Sequence, residues 1–209
     1  MKSGWSIFAL ALALVFLVGC VGTFDYVGPA PVDGVASSIT IAKSKDDVWK
    51  QIVPTFPSAR FVIQSLDKDT GIIVLSYTGE PERYVDCGEI TSYVKNLRGE
   101  RTYRFPAAAA VTEYEYMTGH EILVITRRMH LDGRLNLTVV DAGSQQTQIS
   151  ANAQYTLTRT LIARDTQGQS RTLSQRITFP SHHEGAFPGD VTCRSNGVLE
   201  KEALAAITQ

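Results

Sequence analysis

The residues of this chain that could act as nucleophiles, proton-transfer groups or metal ligands are scattered along the sequence. It has no G-x-S-x-G nucleophile elbow, no H-E-x-x-H zinc motif and no glycine-rich phosphate loop. His182-His183-Glu184 is the densest group of possible ligands, but adjacent strand histidines face opposite ways and converge on one ion only in a loop. Two pairs of carboxylates could do acid–base work, namely Glu80/Glu82 and Glu113/Glu115. Surface charge is the simpler interpretation of both pairs. The sequence therefore predicts no catalytic residue, no metal site and no cofactor.

The apolar run that ends at Cys20 has the layout of an export signal. Lys2 supplies a positive start, Trp5 to Leu17 is almost continuously apolar, and small residues follow. The run is too short and wrongly flanked for a transmembrane helix. It ends in Leu17-Val18-Gly19-Cys20 rather than in a small-x-small cleavage site. This ending resembles the lipobox of bacterial lipoproteins.

The lipoprotein resemblance implies how the mature protein is held in the cell. In that family the signal peptide, here residues 1–19, is cleaved, and the cysteine, here Cys20, carries palmitate or other acyl chains. Each buried methylene contributes about 0.8 kcal/mol, and two or more chains anchor a protein durably. Since Val21 rather than aspartate follows the cysteine, the family pattern implies the outer membrane of a Gram-negative cell, on its periplasmic face.

Cys87 and Cys193 are the two cysteines left once Cys20 is set aside. An exported protein lies where disulfides persist. Neither cysteine belongs to a C-x-x-C unit or has a histidine at ligand spacing, which favours a disulfide over free thiols in metal or redox chemistry. The bridge would close a loop of roughly a hundred residues, contributing up to about 4.7 kcal/mol on the chain-entropy model.

The charge balance limits the possible partners. The chain has 20 basic and 21 acidic residues, and loss of residues 1–19 removes only Lys2, which leaves 19 against 21 and a formal charge of −2. Such a balance argues against nucleic acid as a partner. The predicted partners are the membrane, reached through lipid on Cys20, and another envelope protein.

The mature chain divides into a linker and a domain. Residues 20–37 contain several Gly and Pro and no strand or helix period, so they are predicted to be a flexible tether. Residues 38–209 are predicted to form a single globular domain. In that domain Ser44 and Asp47 form a capping signature for a helix over 45–53.

Residues 38–78 read as a β-α-β-β unit and resemble the BamC-type modules of some envelope lipoproteins. The shared features are a helix with a buried Trp or aliphatic residue, here Val48-Trp49, and a hairpin that turns at Asp67-Lys68-Asp69-Thr70-Gly71. The resemblance implies a small module that supports assembly in the envelope.

The second half of the chain carries the clearest strand pattern. Residues 84–119 are interrupted by Pro and Gly and are predicted to be a long connection with short pieces of structure. Alternating apolar residues then predict four antiparallel strands, the first two joined by a hairpin at Asp132-Gly133. Arg127 interrupts the apolar face, and we expect it to lie near a sheet end and reach water. The alternative is that Arg127 faces a groove or a partner surface.

These elements predict an α+β fold. A curved antiparallel sheet of about four to six strands would pack against an early helix (45–53) and a C-terminal helix (198–207), since the apolar sheet face must be covered. With no catalytic pattern, the predicted function is a non-enzymatic, membrane-anchored lipoprotein that binds other proteins or supports an assembly. The alternative is a periplasmic carrier of a hydrophobic ligand held between the sheet and the helices.

Overall fold

The computed structural model describes residues 21–31, 37–56, 60–119, 121–189 and 191–208. The signal peptide predicted over 1–19, the acylation site Cys20 and residues 32–36 of the predicted tether lie outside the described residues.

The described chain is mostly β-strand, so the predicted α+β fold is wrong. Its strands form three antiparallel sheets, one of seven strands and two of three. The two predicted helices are present, α1 at Lys45–Thr55 and α2 at Val198–Ile207. The strands are β1 Val21–Val27, β2 Ser38–Ile41, β3 Val62–Asp67, β4 Ile72–Gly79, β5 Val85–Asp86, β6 Glu89–Asn96, β7 Gly99–Pro106, β8 Val111–Thr118, β9 Glu121–Asp141, β10 Thr147–Arg164, β11 Ser170–Pro180, β12 Glu184–Ala186 and β13 Thr192–Ser195.

The large sheet is built on two unusually long strands, β9 of 21 residues and β10 of 18. Its order is β11-β10-β9-β4-β3, with β2 also pairing with β10 and β8 with β9. The hairpin predicted at Asp132-Gly133 is wrong, because β9 continues straight through these residues. Gly133 serves packing instead, since a Cβ there would lie 2.9 Å from Cδ2 of Leu199 on α2.

One face of the β9–β10 ribbon is the inner face of the molecule. Alternate side chains from Ile125 to Val139 on β9 and from Ile149 to Leu157 on β10 point into the core, as the alternation predicted. Near the β9–β10 turn this face is covered by α1 and α2. Towards the start of β9 the cover is different, because the small sheet β1-β6-β7 packs there against β8.

The tether prediction is wrong for residues 21–27. They form β1, which pairs with β6 over its whole length. The ring of Phe24 packs edge-on against Tyr116, with centroids 5.6 Å apart. Tyr26 fixes the other end of β1, because its hydroxyl donates to the Thr192 carbonyl and accepts from the Thr192 N–H, both at 2.9 Å. These partners are distant in sequence, so no local pattern indicated the strand.

The connection predicted over 84–119 is also wrong, because it contains β5 to β8. Two of the residues that interrupt the strand pattern lie at strand ends, since Gly99 begins β7 and Pro106 ends it. Gly88 turns the chain between β5 and β6 with φ of 74°.

The disulfide prediction is confirmed. The sulfurs of Cys87 and Cys193 are 2.07 Å apart, and both cysteines are fully buried. The bond ties the chain between β5 and β6 to β13, in the three-stranded sheet β12-β13-β5.

Candidate ligand-binding groove

A groove of about 410 Å³ lies between the small sheet and the inner face of the large sheet. Its volume is within the range of small-molecule sites, about 300–1,000 Å³. Most of its lining is apolar and comes from both sheets, including Phe24, Ile90, Tyr114, Ile125, Leu161 and Leu173. Hereafter this space is called the groove.

The groove has an open end and a deep end. Along the inner face of β9, Leu123 is partly exposed, Ile125 is buried and Arg127 is 2% exposed. Along β10, Leu161 is partly exposed and Arg159 is 5% exposed. The apolar side chains therefore surround the mouth, and the two arginines lie at the deep end.

Arg127 is buried with incomplete hydrogen bonding, so the expectation that it reaches water is wrong. Its Nη2 donates to the carbonyl of Ala107, and its Nε has no hydrogen-bond partner among the described residues. Arg127 does not lie at a sheet end, because β9 begins six residues earlier at Glu121. The small sheet also covers this region and keeps the side chain from water. The groove alternative raised for this residue matches its position.

Arg159 is held entirely by neutral groups. Its Nε donates to Gln175 Oε1 at 3.0 Å, and its Nη2 donates to the same oxygen and, at 3.0 Å, to the carbonyl of Pro188. The guanidinium carbon lies 4.4 Å from the centre of the Phe187 ring. These contacts fix the orientation of the side chain without neutralising its charge.

The deep end of the groove is electropositive. No ion pair to Arg127 or Arg159 forms within the part of the chain that the structure describes. Burial, together with the nearby charge of Arg159, lowers the pKa of Arg127 to about 10, so it remains protonated at neutral pH. Burial also lowers the pKa of Arg159. Two cations thus share a buried site that lacks a counter-charge.

The His182-His183-Glu184 group is not assembled as a ligand set. Glu184 forms an ion pair with Arg194, and Nδ1 of His183 lies 3.1 Å from the backbone oxygen of Ser181. Across the described ranges, no three His, Cys, Asp or Glu side chains are placed to hold a metal ion. Of the paired carboxylates, Glu115 forms an ion pair with Arg101 at 2.6 Å.

Sequence reasoning missed a buried carboxylate in the other half of the molecule. Glu200 of α2 is only 2% exposed. It accepts hydrogen bonds from the hydroxyls of Tyr155 and Ser181, each at 2.6 Å. Burial, and then the charge of Glu200, raises the pKa of Tyr155. These side chains hold α2 on the sheet. The burial of Glu200 follows from the packing of α2 against β10, which no local sequence pattern indicates.

Comparison of the chain with known protein families, with curated proteins and with solved structures finds no match. Neither of the two helices described is long and apolar enough to cross a membrane.

Proposed function

We propose that this protein is a lipid-anchored envelope protein that binds a hydrophobic ligand in the groove. The observation that carries the proposal is an open, largely apolar groove lined by residues of both sheets. Burying an acyl chain there would contribute about 25 cal/mol per Å² of apolar surface. The ligand would lie between the two sheets, not between the sheet and the helices as expected from the sequence.

The position of β1 supports a connection between the groove and the membrane anchor. Val21, the residue after Cys20, begins β1. Gly22 packs against the side chain of Met117, and Met117 pairs with Ile122 at the start of β9. The start of β9 is the open end of the groove. Acyl chains on Cys20 would therefore hold the mouth of the groove close to the bilayer.

The hairpin between β6 and β7 supports the same orientation. Leu97 at its tip is 88% exposed and is followed by Arg98. Lys95, on the same hairpin, pairs with Val21 at the start of β1. An exposed leucine with basic neighbours suits the boundary between acyl chains and headgroups. The tip would therefore contact the bilayer beside the anchor.

The test is to fill the groove. Leu161→Trp places a larger side chain in the lining, whereas Leu66→Trp makes the same change at an exposed position on β3 outside the groove. Native mass spectrometry of the protein purified from membranes should detect a noncovalent lipid on the wild type and on Leu66→Trp, and little on Leu161→Trp. Absence of lipid on all three proteins would refute the proposal.

The other predicted function, support of an envelope assembly through protein contacts, stays a prediction. Mild cross-linking before purification from solubilised membranes would test it. Recovery of this protein alone would count against that role.

A further inference from the structure

The arginines at the deep end of the groove require an explanation that packing does not supply. A charged guanidinium buried without a counter-ion is costly, and two such groups close together repel each other as well. Apolar side chains of similar volume would fill this space at lower cost. The arrangement is instead suited to a ligand that brings a negative charge.

The hydrogen bonds of the two arginines leave N–H donors that can meet that charged group. Ala107 occupies one nitrogen of Arg127, and Gln175 and Pro188 occupy two nitrogens of Arg159. Among the described residues, Nε and Nη1 of Arg127 and Nη1 of Arg159 have no partner, so both guanidinium groups can donate to the oxygens of a carboxylate. A volume of about 410 Å³ is at the small end of ligand sites, which favours one acyl chain over two.

We infer that the groove binds a single-chain fatty carboxylate, with its head between Arg127 and Arg159 and its chain along the apolar lining towards the mouth. This inference rests on the proposed function and adds the chemical class of the ligand. Apolar contact with residues such as Ile125 and Leu161 would hold the chain, while the arginines would select its charge.

The experiment compares three probes that share a twelve-carbon chain: laurate, dodecanol and dodecyltrimethylammonium. Their binding is measured by calorimetry on the full mature chain carrying Cys20→Ser, which removes competition from the attached acyl groups. Laurate should bind at least about tenfold more tightly than dodecanol, and the cation most weakly. Arg127→Met should weaken laurate binding by about 10- to 100-fold and leave dodecanol binding unchanged.

Arg128→Met is the matched control, because Arg128 is the next residue of β9 and is exposed on the opposite face. It should leave all three affinities unchanged. Arg127→Lys keeps the charge but not the planar fork, so its laurate affinity should fall between those of the wild type and Arg127→Met. Thermal unfolding of each variant, with and without laurate, checks that it is folded.

The outcomes separate the two proposals. If none of the three probes binds, the proposed function fails. If laurate and dodecanol bind equally well, or if Arg127→Met binds laurate as the wild type does, the groove binds apolar chains but the inference is overturned. Dodecyl phosphate is measured as a fourth probe in the same way, and tighter binding of it than of laurate would overturn the choice of a carboxylate.

Discussion

At the scale of single residues, the molecule places charge where its own stability does not need it. Arg127 is buried, lies near the charge of Arg159 and has an unpaired Nε. The Tyr155–Glu200 pair is as deeply buried but has its hydrogen bonds made. A satisfied buried group is compatible with a structural role, whereas an unsatisfied one in a groove indicates a missing partner.

Arg127→Met should stabilise the ligand-free protein. The substitution removes a desolvated cation and keeps much of the side-chain volume, at the cost of one hydrogen bond to Ala107. The free energy of unfolding, measured with urea, should rise by about 1–4 kcal/mol. Arg128→Met, on the exposed face, should change it by less than about 0.5 kcal/mol. A less stable Arg127→Met variant would mean that the guanidinium holds the fold together.

Tyr84 should make stability fall at alkaline pH. Burial, and then the hydrogen bond that its hydroxyl donates to Glu202, raises the pKa of Tyr84 to about 12. The unfolded phenol ionises near pH 10. The contribution of Tyr84 to the free energy of unfolding is therefore complete below pH 10 and is lost as the pH rises through 12. In denaturation experiments between pH 10 and 12, the stability of Tyr84→Phe should fall less steeply with pH than that of the wild type. Equal slopes for the two proteins would contradict the role assigned to Tyr84.

At the scale of elements, the long strand β9 carries two differently covered halves. Near the turn to β10 the inner face is covered by α1 and α2. Near Glu121 it is covered by a second sheet, and the groove lies between the two sheets. The local signals that predicted α1 and α2 were sound, since the Ser44 hydroxyl oxygen accepts from the Asp47 N–H at 3.2 Å as the capping signature requires. The signal at Asp132-Gly133 was misread, because a glycine required by packing looks like a glycine required by a turn.

Gly133→Val should destabilise the protein by crowding α2. The new side chain would meet Leu199, which is fully buried, since a Cβ at Gly133 would already lie 2.9 Å from its Cδ2. Overpacking of this kind costs about 1–3 kcal/mol. The double variant Gly133→Val/Leu199→Ala should lose less stability than the sum of the losses of the two single variants. The reason is that the smaller alanine side chain at position 199 relieves the clash. Strict additivity of the two losses would show that the contact with α2 is not the cause.

At the scale of the whole molecule, the disulfide ties together distant parts of the chain. Replacing both Cys87 and Cys193 by serine frees two segments 106 residues apart in sequence. Urea denaturation should show a loss of about 2–5 kcal/mol. Wild type under reducing conditions should show a similar loss, which separates the missing bond from the effect of buried serine hydroxyls. No loss in either experiment would mean that the bond does not stabilise the fold.

A linker between Cys20 and Val21 should separate the groove from the membrane. Ten Gly/Ser residues would add a mean span of roughly 15–20 Å. Transfer of a fluorescent fatty acid from vesicles to the anchored protein should then slow several-fold. The same insertion between Gly143 and Ser144, in the turn at the far end of β9, is the control and should have no effect. Equal rates for both insertions would contradict the proposed orientation of the mouth.

The sequence by itself determined the two helices, the cysteine pair and the alternating inner face of β9 and β10, because caps, cysteine number and side-chain period are local properties. Only the tertiary structure decided that residues 21–27 are a strand, that residues 84–119 are four strands, and that Arg127 faces a groove beside Arg159. Each of these depends on backbone pairing between segments distant in sequence, such as β1 with β6. A chain segment carries no local record of which neighbour will cover it.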